Sequence, residues 1–452
     1  MTDLDLTRIQ GFVVRGYRLP FAGYLFLRID DPRRAAAWIA DVADEVLTAA
    51  PWSAKPDSGL NLAFSYAGLA ALQIPDASLA GFPEEFREGM AARADLLGDG
   101  GDSSPVNWEG PLGTPEVHAL VMISASHPEA LAAHDRRVRE SIERGGGLSV
   151  IYDDLGSALP GGAEHFGYAD GFAQPAIEGA GLPALPGQGA PLRDGKWRPI
   201  RAGEFILGYP DEEDGLPSAP DPHQLSANGS YLVYRKLHQD VAGFRARLAA
   251  SAKLYPGGDE LLAAKIVGRW RDGTPIDISP ERPDPAIVAD ERRNNAFSYA
   301  DDGDGLRCPI GAHVRRCNPR DSLPFEGKLV NRHRLVRRGI PYGEPLPPGA
   351  TDDGGDRGVI FMCLQASIAR QFEFIQSQWC NRGNSFALGE DQDVMLGPQD
   401  GTPPSKMTVP GNPPFLLGPL ERVVTVKGGE YFFVPGINGL EFLAAASGGT
   451  AA

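Results

Sequence analysis

The chain has 452 residues, 42% hydrophobic and 23% charged, and a net charge of −16 from 43 basic and 59 acidic side chains. That acidic surplus excludes an extended basic surface for nucleic acid, and no apolar run in the sequence approaches the ~20 residues that span a bilayer. Length and apolar content suit two or three domains of roughly 150 residues with room to enclose a cofactor; the start, MTDLDLTRIQG, lacks the basic and apolar regions of a secretory leader, so a cytoplasmic protein without membrane attachment is expected.

The first half predicts strand, helix, strand, strand, helix, strand. Residues 9–17 are an extended edge piece and 24–29 a β-rich apolar run; Asp31-Pro32 opens a helix to about residue 48. Strands follow at 60–66 and 117–125, a helix at 127–144 and a strand at 148–152. Gly- and Pro-rich stretches at 179–203 and 211–222 read as loops between two lobes. The second half repeats the order: strand 230–235, helices 237–250 and 259–267, a short strand 312–316, strand 357–364 running into a helix at 366–378, and strand 430–434. Long loops at 273–307 and 318–349 mark functional segments. The pattern predicts an α+β protein of two ferredoxin-like (βαββαβ) domains with antiparallel sheets, residues 1–205 and 206–452, related by pattern and not by identity.

Four cysteines, Cys308, Cys317, Cys363 and Cys380, form no CxxC pair, so free thiols are expected rather than a structural zinc. Three segments carry candidate chemistry. In HFGYADGFAQP (165–175), Gly167 and Gly171 bracket Asp170. Glycine permits tight turns and close approach to a flat ligand, so the acid points either into a cavity or, as Asp-Gly pairs commonly do, into solvent. In CPIGAHVRRCNPR (308–320), His313 sits among small and apolar neighbours, as an iron ligand or a hydrogen-bonded core histidine. In NRHRLVRRGIPYG (331–343), dense arginines form a solvated face, or one of them meets an anion.

Taken in order, these segments resemble the dye-decolorizing peroxidases. Gly167–Gly171 is similar to that family's GxxDG motif, 308–320 to its histidine segment and RRGIPYG (337–343) to its arginine segment. IQGFVVRGY (9–17), EFILGYP (204–210) and GVIFMCLQASIARQFEFIQ (358–376) extend the resemblance over most of the chain. It implies haem b in the C-terminal domain and hydrogen peroxide as the substrate that oxidises bulky dyes or phenols. His313 would be the axial iron ligand. Asp170 and Arg337 would assist peroxide heterolysis on the opposite face, Arg337 being taken over Arg338 because it lies four residues before Pro341. Arg338 would be structural or bind a propionate, and His165 would contact a propionate. Phe361 would line the distal face by strand alternation, and Glu373 would be the carboxylate partner of His313. Tyr342 and Trp379 are candidates to carry electrons to substrates too bulky for the pocket; His333 is expected at the surface.

An acidic optimum follows from the need for ionised Asp170 beside a permanent cation. Rival readings are a haem-binding or iron-release protein without peroxidase turnover, a cofactor-free ferredoxin-like module, and a haem enzyme acting on chlorite. The joint presence of Asp170 and Arg337 favours the peroxidase over the first, and GxxDG argues against the last. The sequence leaves the oligomeric state open, a homo-oligomer included.

Overall fold

The computed structural model describes residues 4–192, 196–398, 406–418 and 421–446; residues 1–3 of the polar start and 193–195 of the Gly/Pro-rich stretch lie outside them. The first half forms β1 (Phe21–Ile29), α1 (Pro32–Ala43), β2 (Ser58–Phe64), β3 (Ala119–Ala125), α2 (Pro128–Gly145) and β4 (Leu148–Ser157). The second forms β5 (Ser230–Gln239), α3 (Val241–Ala252), α4 (Gly258–Val267), α5 (His313–Cys317), β6 (Val336–Arg337), β7 (Ile340–Tyr342), β8 (Gly358–Gln365), β9 (Val424–Val434) and α6 (Ile437–Ala446). These nine strands pair antiparallel in one sheet ordered β4-β1-β3-β2-β9-β5-β8-β6, with β7 also on β8. Each half therefore runs fourth, first, third, second strand, the order of a ferredoxin-like unit.

The halves meet at Phe433 of β9 opposite Phe64 of β2. At the far edge Gly156 of β4 packs against Ile340 of β7; a Cβ on Gly156 would stand 2.3 Å from Ile340 Cγ2. The sheet thus curls into a barrel. Tyr24, Phe26, Leu120, Leu232, Tyr234 and Phe432 fill its interior. The alternate residues Leu25, Leu27 and Val121 face outward in one cluster with Trp38, Ile39, Val138 and Ile142 of the two long helices, and Val233 and Tyr431 of the second half belong to the same cluster. Both faces of these strands are buried, which explains why they read as unbroken apolar runs.

Local chemistry sets the boundaries. Asp31 accepts the N–H groups of Arg33 and Arg34, and Pro32 takes the first helical position, so α1 starts there. Asp240 accepts from Gly243 N–H, so the predicted helix at 237 begins instead at Val241 and β5 runs on to Gln239. The predicted edge piece at 9–17 winds as a helical turn, Gly11–Val14, with Gly11 N–H donating to the Leu47 carbonyl at 2.7 Å. The predicted helix at 366–378 winds as two π-helical turns, Ala369–Glu373 and Ile375–Cys380.

The expected strand at 312–316 is a helical turn. The Ala312 carbonyl accepts from Arg315 and Arg316 N–H at 3.0 and 2.9 Å, and both arginine side chains are buried against the carbonyls of Cys308, Trp379 and Asp391, which holds the turn. Among the described residues no helix is long and apolar enough to cross a membrane.

Candidate active site

A cavity of ≈ 310 Å³ lies between the loop after β4, helix α5, the β6 strand and the outer face of β8. His313, Asp170, Arg337 and Phe361 all line it, together with apolar side chains such as Val267, Leu335, Val359, Ile375 and Leu396.

His313 heads α5, and its ring Nδ1–H donates to Asp393 Oδ2 at 2.8 Å. Asp393 is fully buried. Its Oδ1 accepts the backbone N–H groups of Met395 and Leu396 at 2.8 and 3.1 Å, so the acceptor is fixed before the imidazole meets it. Burial works against the Asp393 carboxylate, but His313, Arg316 and the Met395 N–H outweigh it and lower its pKa. With Nδ1 committed to Asp393, Nε2 is the ring nitrogen left without a carboxylate partner.

Asp393, not the expected Glu373, is therefore the partner of His313. Glu373 is held elsewhere: its two oxygens accept from Arg93 Nε and Nη2 at 2.9 and 2.8 Å, and Tyr431 OH donates to it at 3.0 Å. The π-helical winding turns Glu373 inward to this partly buried ion pair, whereas Asp393 comes from a loop with no sequence pattern to mark it.

On the other wall, Gly167 and Gly171 adopt φ of 95° and 91°, conformations that L side chains rarely adopt. The turn between them is pinned by Ala169 N–H on the Arg271 carbonyl and Asp170 N–H on the Gly162 carbonyl. Glu164, unnoticed in the sequence, braces it: its carboxylate accepts the Phe166 and Tyr168 N–H groups, each at 2.9 Å, and the Gln239 amide. Asp170 thus faces the cavity with 57% of its side-chain surface free. Arg337 Nη1 donates to both Asp170 oxygens at 3.0 Å, its Nη2 to the Phe172 carbonyl at 2.9 Å, and its backbone N–H to Gln174 Oε1. Burial raises the Asp170 pKa, but Arg337 and the Gly171 N–H more than offset it and leave it lowered.

Strand alternation separates Arg337 from Arg338. Arg338 points to the opposite side, donating to the Phe12 carbonyl at 2.6 Å, so it is structural rather than part of this cavity. His165 is likewise withdrawn: its buried ring bonds the Tyr342 carbonyl through Nε2 at 2.7 Å and does not reach the cavity. Phe361 lies where alternation along β8 predicted. Tyr342 and Trp379 are buried, at 6% and 4% exposure, so neither presents a surface for a bulky substrate. His333 is half-buried rather than on the open surface, stacked on Phe374 with ring centroids 4.1 Å apart.

Three cavity-lining arginines were not singled out in the sequence, although Arg334 lies in the segment 331–343 where one arginine was expected to meet an anion and Arg320 ends the histidine segment. Arg269, Arg320 and Arg334 pair with no carboxylate among the described residues; they donate to carbonyl or amide oxygens, and Arg269 and Arg320 stack on Phe172 and Phe297. Burial lowers all three pKa values, that of Arg269 to about 10 and of Arg334 to about 9. Holding cations away from water without a direct ion pair is costly, so this wall would attract an anion.

Residues 8–150 match the family described as "DyP dimeric alpha+beta barrel domain" and 212–390 the one described as "Dyp-type peroxidase, C-terminal". A dye-decolorizing peroxidase of Mycena epipterygia is 30% identical over 98% of this chain and 88% of its own. One from Mycetinis scorodonius is 31% identical over 97% and 87%. A solved dye-decolorizing peroxidase in complex with 2,6-dimethoxyphenol superposes with a TM-score of 0.84 at 29% identity, covering 98% of this chain and all of that one.

Proposed function

This chain belongs to the dye-decolorizing peroxidases, and from that membership we propose that it reduces hydrogen peroxide at a haem b held by His313, with Asp170 and Arg337 assisting, and oxidises bulky dyes or phenols. The observation that carries the reading is the opposition, across one apolar cavity, of a histidine whose Nδ1 is spent on Asp393 and a carboxylate paired to a guanidinium. The complex of a relative with 2,6-dimethoxyphenol supports phenols as reductants. The matched N-terminal domain is described as dimeric, and a homodimer is part of the proposal, as is a division of the chain at 205/206.

The residues present fit haem on three counts. Nε2 of His313 is left to ligate iron, and the charge-assisted bond to Asp393 makes the imidazole a stronger donor. The walls are predominantly apolar. Arg269, Arg320 and Arg334 have no ion-pair partner among the described residues, and two propionates would balance two of their three charges. Bound haem supplies the redox-active iron at which peroxide is reduced.

Around that centre the chain's own groups move the proton. Ionised Asp170 takes the proton of the near peroxide oxygen on a carboxylate oxygen and returns it to the departing one, a role typically worth ~10²–10⁴-fold. Arg337 keeps Asp170 ionised and stabilises negative charge on the leaving oxygen without surrendering its own proton. The Phe172 carbonyl and Gln174 hold the guanidinium at the angle this requires. A protein that merely carries haem has no need of this pair.

One absorbance series tests the proposal. The purified protein, or the apoprotein given haemin, is expected to show a Soret band that shifts on adding hydrogen peroxide and returns when a phenol is supplied; His313→Ala is expected to lose it. A protein that stays colourless with haemin refutes the cofactor, and a band indifferent to peroxide refutes turnover.

A further inference from the structure

The cavity also holds two thiols for which the peroxide-reducing groups have no use. Cys317 stands one helical turn after His313, so α5 lays its sulfur against the same imidazole, 3.8 Å from Nδ1 and 3.9 Å from Nε2. Cys380 ends the π-helical turn Ile375–Cys380, and its Sγ lies 3.8 Å from that of Cys317. Its backbone is held in place, because the Cys380 carbonyl accepts the Asp393 N–H at 2.9 Å. Both cysteines are free and both line the cavity. The other two are isolated: Cys308 has Tyr299 OH at 3.9 Å and Cys363 has Gln365 Oε1 at 3.2 Å, and neither has a second thiol recorded beside it among the described residues. From 3.8 Å the sulfurs need to close by about 1.8 Å to reach the ~2.05 Å of a disulfide, within the range of side-chain rotation.

We propose that Cys317 and Cys380 are a peroxide-driven redox pair that closes to a disulfide beside the proximal histidine. Cys317 is partly exposed to the cavity and Cys380 is buried, which makes Cys317 the sulfur that meets the oxidant. The oxidant is hydrogen peroxide, the substrate of a peroxidase. The Cys317 sulfur attacks one peroxide oxygen; the O–O bond breaks, an S–O bond forms, and the other oxygen leaves as water with the thiol proton. The Cys380 sulfur then attacks the Cys317 sulfur; the S–S bond forms, the S–O bond breaks, and the hydroxyl leaves as a second water with the Cys380 proton. Two thiols give two electrons, one peroxide becomes two waters, and charge balances. Closure draws the Cys317 sulfur off the imidazole toward Cys380. It also protects Cys317 from the irreversible sulfinic step that an unresolved sulfenic acid undergoes.

The test uses the full-length protein, haem-loaded and haem-free, treated with a few equivalents of hydrogen peroxide without a reducing dye, then quenched with an alkylating reagent. Free thiols counted under denaturing conditions are expected to fall from four to two, with a Cys317–Cys380 cross-linked peptide found by mass spectrometry and reversed by dithiothreitol. Cys380→Ser is expected to leave Cys317 over-oxidised, and Cys363→Ser to leave the cross-link intact. Four alkylated thiols after treatment, or Cys317 over-oxidised as fully in the native protein as in Cys380→Ser, overturns the proposal; the native-protein peptide map decides even if a variant misfolds. Because the thiol count does not depend on a Soret band, failure here is distinct from failure of the haem assignment.

Discussion

Replacing Asp393 with asparagine is expected to loosen haem without unfolding the chain. Asp393 Oδ2 accepts Nδ1–H of His313 at 2.8 Å while Oδ1 holds the Met395 and Leu396 N–H groups at 2.8 and 3.1 Å. Asparagine keeps one carbonyl oxygen. With that oxygen on the two backbone N–H groups, its NH₂ faces Nδ1, and the imidazole must carry its proton on Nε2, the atom that has to ligate iron. A hydrogen bond to a charged partner is worth ~1.5–3 kcal/mol. Loss of a partner behind a metal-ligating histidine costs ~10–100-fold in affinity, or about 1.4–2.7 kcal/mol at 1.36 kcal/mol per decade. The two routes agree. Haemin titrated into native and Asp393→Asn apoproteins, followed at the Soret band, measures the change, with circular dichroism and thermal melts reporting the fold. Native affinity and an unaltered spectrum in the variant would refute the reasoning.

Asp170→Asn is expected to slow the reaction with peroxide ~10²–10⁴-fold in stopped-flow while leaving haemin affinity unchanged; equal rates count against Asp170 as the base. The Asp170 pKa is lowered in the fold, burial being outweighed by Arg337 and the Gly171 N–H, so activity is present above that lowered pKa and lost as pH falls through it. Arg337→Gln removes the lowering charge, so the acid limb of the pH–rate profile should move to higher pH, and an unmoved limb would contradict the pairing. Arg334→Met should raise the melting temperature of the apoprotein, since a buried unpaired cation is removed, yet weaken haemin binding; effects of the same sign would exclude a propionate role. Glu373→Ala should leave haemin affinity intact but cost about 1–3 kcal/mol in urea unfolding. That is below the ~3–5 typical of a fully buried pair, because Arg93 keeps 23% of its side chain exposed.

Much of the barrel was legible from the chain alone. Strands buried on both faces must be apolar throughout, and helix starts need caps such as Asp31-Pro32, so elements and their order follow from local patterning. The glycine turn around Asp170 was legible because its φ angles demand glycine on both sides, but residue order left the acid facing either cavity or solvent, and only the family resemblance pointed it inward. Phe361 followed from alternation. Helix α5 was misread as strand because a five-residue segment carries too little periodicity to distinguish the two; the buried contacts of Arg315 and Arg316 decided it.

The partner of His313 was beyond reach of any local rule. Asp393 lies 80 positions away, and Asp391 beside it is an equal candidate in sequence, yet its carboxylate goes to Thr408 N–H. The placement of Arg269, Arg320 and Arg334 on one cavity wall, the withdrawal of Arg338 and His165, and the approach of Cys380 to Cys317 were likewise settled by how long loops close on a finished barrel. Residue order determined which segments are strand, helix or glycine turn, because those depend on near neighbours. Which charges face each other across the cavity was decided only by the tertiary fold, because such pairs join segments whose separation along the chain carries no information about their distance in space.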